Sequence, residues 1–230
     1  IDNINILYEN KVRDHTKLKQ NLQDLIKETI PFSMPYLMIF LSNHSGVLMF
    51  HGEEKIRVLN ICNSIIRNIS QYLDLPLSVI VSPKEKDIST FYQSYLDILS
   101  SHEKRFYEGE GTLLLSEESI DFEDLDMNQI DFHTNIFAAI SSKDIEQVNA
   151  LVQKTLHYMK VHRIAPYSVK EYIIFILNNI EGNEIVKGMK EVYPFDLLHR
   201  HIYASETFDR LCDNVERSFE EICKWLWSTG

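Results

Sequence analysis

The chain has little glycine, proline and cysteine, and less base than acid. Seven glycines occur in 230 residues, none before Gly46. The common phosphate-binding loops need clustered glycine so that the backbone can approach the phosphates, so both are excluded. Gly109-Glu110-Gly111 follows a periodic apolar segment and reads as a helix stop. Three cysteines, Cys62, Cys212 and Cys223, cannot form a disulfide framework, and the sparse, odd count fits the reducing cytoplasm. No apolar run reaches the ~18 residues of a membrane span, and residues 1–20 are too polar for a signal peptide. With 23 Lys plus Arg against 34 Asp plus Glu, the formal net charge is −11. Nucleic-acid binding by this chain alone is disfavoured, because phosphate contacts need clustered base. The first residue is Ile1, not Met, and the expectation is a piece of a longer protein.

What is present suffices for a core: 44% apolar and 11% aromatic residues. Ile4-Asn5-Ile6-Leu7-Tyr8 reads as a strand. Leu18, Leu22, Leu25, Ile26 and Ile30 recur at helical spacing before Pro31. Two apolar runs, 36–41 and 47–50, flank Asn43-His44-Ser45-Gly46, which is hairpin turn chemistry. A helix over about 53–73 carries Ile56, Leu59, Cys62, Ile65, Ile66, Ile69 and Leu73 on one face. Residues 77–81 read as a strand and 88–107 as a helix with Phe91, Tyr95, Leu99 and Phe106 inward. Residues 112–115 read as the last strand. The acidic run Glu117, Glu118, Asp121, Glu123, Asp124 and Asp126 reads as a solvated linker.

Everything beyond it reads as helix: a short one at Ile136–Ile140, one from Ile145 to Met159, one opening at Pro166, one at 195–203 and one at 205–227. In the last, Phe208, Cys212, Val215, Phe219, Ile222 and Leu226 are spaced 4, 3, 4, 3 and 4, the a/d alternation of a coiled-coil seam. The expected fold is α+β: an antiparallel sheet with helices over residues 1–118, followed by an all-α unit over 119–230.

Catalytic signals are thin. His157 and His162 are five apart, which suits no single helix face. His199 and His201 flank Arg200, a cation that opposes a metal ion, and no Cys-x-x-Cys occurs. The acidic run lacks the alternation and central glycine of a calcium loop. No nucleophile elbow is present. Cys62 and Cys212 lie on apolar faces and read as small core hydrophobes. Neither cofactor nor metal is expected.

The order hairpin, helix, strand, helix, short strand resembles the catalytic half of GGDEF-type diguanylate cyclases, whose sheet is ferredoxin-like. That family carries glycines and acids at the hairpin turn, where this chain has Asn43-His44-Ser45-Gly46. After the first strand it carries metal-binding carboxylates, where this chain reads Tyr8-Glu9-Asn10-Lys11. Two-metal phosphoryl chemistry needs those carboxylates, so the expectation is no cyclase activity. A closer resemblance is to the central region of AraC-type bacterial response regulators, which contains a degenerate form of this domain. It rests on Ser78-Val79-Ile80-Val81-Ser82, then Phe91-Tyr92-Gln93-Ser94-Tyr95, then Arg105-Phe106-Tyr107-Glu108-Gly109, then Leu113-Leu114-Leu115. The helical half, from Phe132-His133-Thr134-Asn135-Ile136, resembles the segment such proteins place before their DNA-binding domain.

The resemblance implies a non-catalytic regulatory and dimerisation region of a cytoplasmic transcription regulator. DNA would be bound only through a domain outside this chain, and a histidine kinase would act upstream. Phe208, Cys212, Val215, Phe219, Ile222 and Leu226 are expected to form the homodimer seam, the alternative being that they pack within the chain's own helical bundle. An alternative is a small-molecule sensor in which Asn43, His44 and nearby aromatics contact a ligand.

Overall fold

A computed structural model describes residues 15–42, 45–83, 87–117, 121–126, 132–182 and 195–228. The expected first strand at 4–8 and the turn residues Asn43 and His44 lie outside these. The chain divides into two compact units, Ile1–Ser119 and Ile120–Gly230. The class is α+β.

In the first unit, α1 (His15–Thr29) buries Leu18, Leu22 and Ile26, and Ile30 follows them inward. The i, i+4 spacing of these four puts them on one stripe. Met34 N–H closes the turn after Pro31 onto its carbonyl (2.9 Å). Strands β1 (Tyr36–Phe40) and β2 (Gly46–Phe50) pair antiparallel, with Tyr36 opposite Phe50 and Phe40 opposite Gly46. Alternation sends Tyr36, Met38, Leu48 and Phe50 to the core face. Leu37 and Ile39 face outward and are exposed.

Helix α2 (Lys55–Leu73) packs on α1 and buries Ile61, Cys62, Ile65 and Ile69. Ile56, expected on that face, is exposed, and Ile61, not expected there, is buried. Val58, in the same first turn, packs against the core, and Ile56, two positions before it and ~200° around the helix, faces away. Asp74 ends the helix in a left-handed conformation (φ 52°), its N–H bonded to Ser70 O. Leu75 and Leu77 then return to the core.

Strands β3 (Val79–Val81) and β4 (Leu113–Leu115) pair in parallel, Val79 beside Leu113 and Val81 beside Leu115. Among the described residues the four strands therefore form two separate two-stranded sheets rather than the expected single antiparallel one. A parallel pair needs a crossover. Here it is α3 (Phe91–Ser101), a 3₁₀ turn at His102–Lys104, and α4 (Arg105–Glu108). The expectation is one continuous helix with Phe91, Tyr95, Leu99 and Phe106 inward. Phe106 is buried, but Phe91, Tyr95 and Leu99 are exposed. A 3₁₀ segment turns ~120° per residue against ~100° for an α-helix, so three such residues rotate the following face by roughly 60°.

The second unit is helical. Helix α5 (Phe132–Ser141) and α6 (Ile145–Val161) form an α-hairpin, with Asp144 capping α6 by accepting from Gln147 N–H (2.9 Å). Helix α7 (Pro166–Gly182) buries seven residues, among them Val169, Ile173, Ile176 and Ile180. Helix α8 (Phe195–Ala204) packs on α7, and α9 (Phe208–Ser228) packs on α6 and α8. Phe132 and Phe219 meet edge to face at 5.6 Å. No described helix is long and apolar enough to cross a membrane.

The division between the two units falls within the acidic run, and its described acids, Glu117, Asp121, Glu123, Asp124 and Asp126, are exposed, as expected of a solvated linker; parts of it are nevertheless tied down. Glu117 pairs with Lys55 (3.0 Å) in the first unit. Glu123 N–H donates to Arg163 O and Ala165 N–H to Glu123 O, and the Glu123 carboxylate meets His162 (3.0 Å) in the second. These backbone bonds satisfy groups that a free linker leaves to water.

Candidate functional site

The expected pairing seam is an internal one. Phe208, Val215, Phe219 and Ile222 are buried within their own chain, and Cys212 and Leu226 are half-buried. The buried stripe of α9 is Phe208, Leu211, Val215, Ser218, Phe219, Ile222 and Cys223. It is wider than an a/d seam, as a helix facing a globular core requires. A 4, 3 alternation looks the same whether the partner helix belongs to another chain or to the same one. Here the partners are α6 and α8, so the dimer seam is corrected to a core stripe.

Polar groups lock α9 in place. Asn214 Nδ2 donates to Ser205 Oγ (3.0 Å), and Ser205 Oγ donates to His201 O (2.8 Å). Within α9 itself, Ser218 Oγ donates to Asn214 O (2.6 Å). At the far end Trp227 Nε1 donates to Ile140 O on α5 (3.1 Å). Trp225, Leu226 and Trp227 are half-buried.

Helix α3 presents its outer face differently. Its inward positions are Ser94, Ile98 and the fully enclosed Ser101, followed by Arg105 at 1% exposure. Ser101 Oγ reaches Ser116 O just beyond β4, and Lys104 Nζ donates to Leu115 O (3.1 Å). Small residues let the helix lie close to the β3–β4 backbone. That orientation turns Phe91, Tyr92, Tyr95, Leu96 and Leu99 outward, and all five are exposed. The aromatic face catches the eye in the sequence; the serines 94 and 101, seven apart, carry the packing signal.

At the turn into β4, Gly109 has φ 87° and ψ −169°, a region that only glycine occupies without strain. The helix stop expected of Gly109 is what the backbone does there.

A concave feature lies between α1 and α2. A groove of about 580 Å³ is lined by Asn21, Asp24, Glu28, Thr29, Asn68 and Tyr72 among others. Asn68 Nδ2 donates to Thr29 Oγ1 (3.0 Å) at its floor. Asp24 and Glu28, one helical turn apart, give it an acidic rim. No sequence motif marks it, since it arises only when α1 and α2 pack.

The titratable groups are arranged structurally. Burial pushes the thiols of Cys62 and Cys223 up to about 11. Burial, then Glu216 and Asp209, pushes that of Cys212 to about 12, with Lys160 pulling the other way. Such thiols are protonated at neutral pH and poor nucleophiles. Lys170 is lowered by burial, which Glu206 partly opposes, and its Nζ donates to Tyr203 O (2.9 Å). Tyr203 is raised chiefly by donating its hydroxyl to Glu171. These contacts fasten α7 to α8. Among the described residues no three His, Cys, Asp or Glu converge on a metal position. Asn43 and His44, the expected ligand contacts, lie outside the described residues.

No family model matches the chain, and no curated protein or solved structure matches it.

Proposed function

We propose that the chain is a non-catalytic regulatory region of an AraC-type transcription regulator. It would act in the cytoplasm as a pair of protomers and pass a signal to a DNA-binding domain outside this chain. What supports this reading is the crossover β3–α3–α4–β4. The four segments that carry the family resemblance, Ser78–Ser82, Phe91–Tyr95, Arg105–Gly109 and Leu113–Leu115, are consecutive parts of that one unit. Arg105 and Phe106 are buried where it closes, and Gly109 turns the chain into β4.

The first unit belongs, on this reading, to the ferredoxin-like cyclase sheet in degenerate form, with the hairpin and the β3–β4 pair as its parts. The hairpin turn lacks the acids that hold metal ions, so GTP turnover with Mg²⁺ or Mn²⁺ is not expected. The helical unit supplies a stiff body ending in α9, whose buried stripe transmits displacement as one piece.

The test is the reading frame on both sides of the chain. Two helix-turn-helix units within about a hundred downstream codons are expected, since paired recognition helices set half-site spacing. An upstream βα-repeat with a phosphorylatable Asp would place a histidine kinase before it. A frame without any DNA-binding unit overturns the proposal.

A second reading, a small-molecule sensor, is favoured by the groove between α1 and α2. Its acidic rim and the exposed Tyr72 ring suit an organic cation. A thermal shift with a polyamine series, lost in Asp24→Asn/Glu28→Gln, would support it. Flat responses across the series would remove it.

A further inference from the structure

We infer that the outer face of α3 is a self-association surface that docks on the same face of a second copy of this chain. Phe91, Tyr92, Tyr95, Leu96 and Leu99 span an arc of about 140° on α3 at ~100° per residue. Their exposures are 47%, 72%, 37%, 37% and 50%. With about 150–250 Å² for a whole aromatic side chain, the five present on the order of 450 Å² of contiguous surface. A monomer's largest apolar patch is of that size and often functional. A standard interface takes ~800 Å² from each partner, so the stripe supplies more than half of one side.

The charge pattern argues against a membrane or nucleic-acid surface and favours an uncharged protein face, which a second copy supplies. Asp97 is the single charged residue of α3, and it lies off the stripe, accepting from Gln93 Nε2 (2.9 Å). Two copies of a chain with net charge −11 repel one another wherever their acidic faces meet. They approach at least cost through an uncharged face. A membrane-surface helix carries Lys and Arg beside its apolar stripe, and a nucleic-acid surface carries them on it. Helix α3 has neither. A two-fold contact of α3 on α3 meets like with like without setting charge against charge. Because the α9 stripe is buried inside its own chain, this surface also gives the paired regulator a place to pair. That role rests on the proposed function, whereas the contact rests on the stripe alone.

The test is sedimentation and light scattering of the chain from about 1 to 200 µM, wild type beside Tyr92→Glu and Leu99→Glu. Both positions are at least half exposed, so circular dichroism and Tm should match wild type. The expected result is a concentration-dependent dimer whose dissociation constant rises at least tenfold in either variant. A wild-type monomer across the range overturns the proposal, as does a dimer indifferent to both changes. A monomer whose Tm falls by several degrees in Leu99→Glu means the chain itself covers the face, and overturns it too. A dimer lost in both variants, from a gene with no DNA-binding unit, would keep this inference and remove the regulator reading.

Discussion

The thiols show how a residue's surroundings override its chemistry. Cys62 and Cys223 are buried, and Cys212 is half-buried beside Glu216 and Asp209. All three folded-state values lie above the ordinary 9.0. The sign follows: the native state keeps this contribution below pH about 9 and loses it as pH rises toward 11–12. At pH 8 a thiol raised to about 11 carries roughly a hundredfold less thiolate than an ordinary one. A thiolate of higher pKa is also a better nucleophile by about tenfold over two units, so labelling by a disulfide reagent at pH 8 is expected to be slower by about tenfold in native buffer than in denaturant. Equal rates for any one thiol would mean that its enclosure is not real. Phe219 is the other informative residue. It is fully buried and meets Phe132 edge to face, so Phe219→Ala is expected to destabilise the second unit by about 3–5 kcal/mol. In a double-mutant cycle with Phe132→Ala the coupling should be ~0.5–1.5 kcal/mol. Additive losses in chemical denaturation would remove the ring contact from the account.

At the scale of elements, each helix is decided by how much of its surface it can cover. The stripes of α1 and α9 are both legible as period and phase. Leu18, Leu22, Ile26 and Ile30 are buried where the spacing puts them, and so are Phe208, Val215, Phe219 and Ile222. What covers them is not legible, because a helical period carries no information about whether the partner is in the same chain. The phase of α3 departs from expectation for a different reason. Hydrophobicity points to Phe91, Tyr95 and Leu99, while close approach to a three-residue strand pair selects Ser94 and Ser101. The groove between α1 and α2 has no local signal at all, since its lining comes from residues about 40 apart. Two element ends make tests. Asp144 caps α6 through Gln147 N–H, and Asp144→Ala is expected to lose about 1 kcal/mol, within the ~0.5–2 range of caps. Gly109 has open space where a Cβ would stand, so Gly109→Ala should cost backbone strain alone, about 1–3 kcal/mol. A neutral Gly109→Ala in thermal unfolding would mean that the crossover closes by a different turn.

For the molecule as a whole the charge balance predicts a response to salt whose sign can be decided beforehand. The described ion pairs Lys55–Glu117, Lys160–Asp209 and Lys224–Glu220 have exposed partners. Pairs of that kind contribute ~0–1 kcal/mol each and weaken as salt is added. Against them stand 34 acids and 23 bases, an excess of 34 − 23 = 11 negative charges, whose mutual repulsion opposes the compact state. At about 0.01 M salt the screening length is ~30 Å, larger than most separations across a unit, and at 0.15 M it shrinks to ~8 Å. Salt therefore screens the long-range repulsions as well as the short attractions, and with eleven acids in excess the repulsions win. Tm at pH 7.5 is expected to rise by a few degrees between 10 and 150 mM NaCl, as followed by circular dichroism. Over the same range the chain alone should not retard duplex DNA, because it has no excess base with which to displace counterions. A Tm that falls with salt would place the acids in attractive networks. A DNA shift that strengthens at low salt would mean that the base is gathered on one face and that the chain itself contacts DNA.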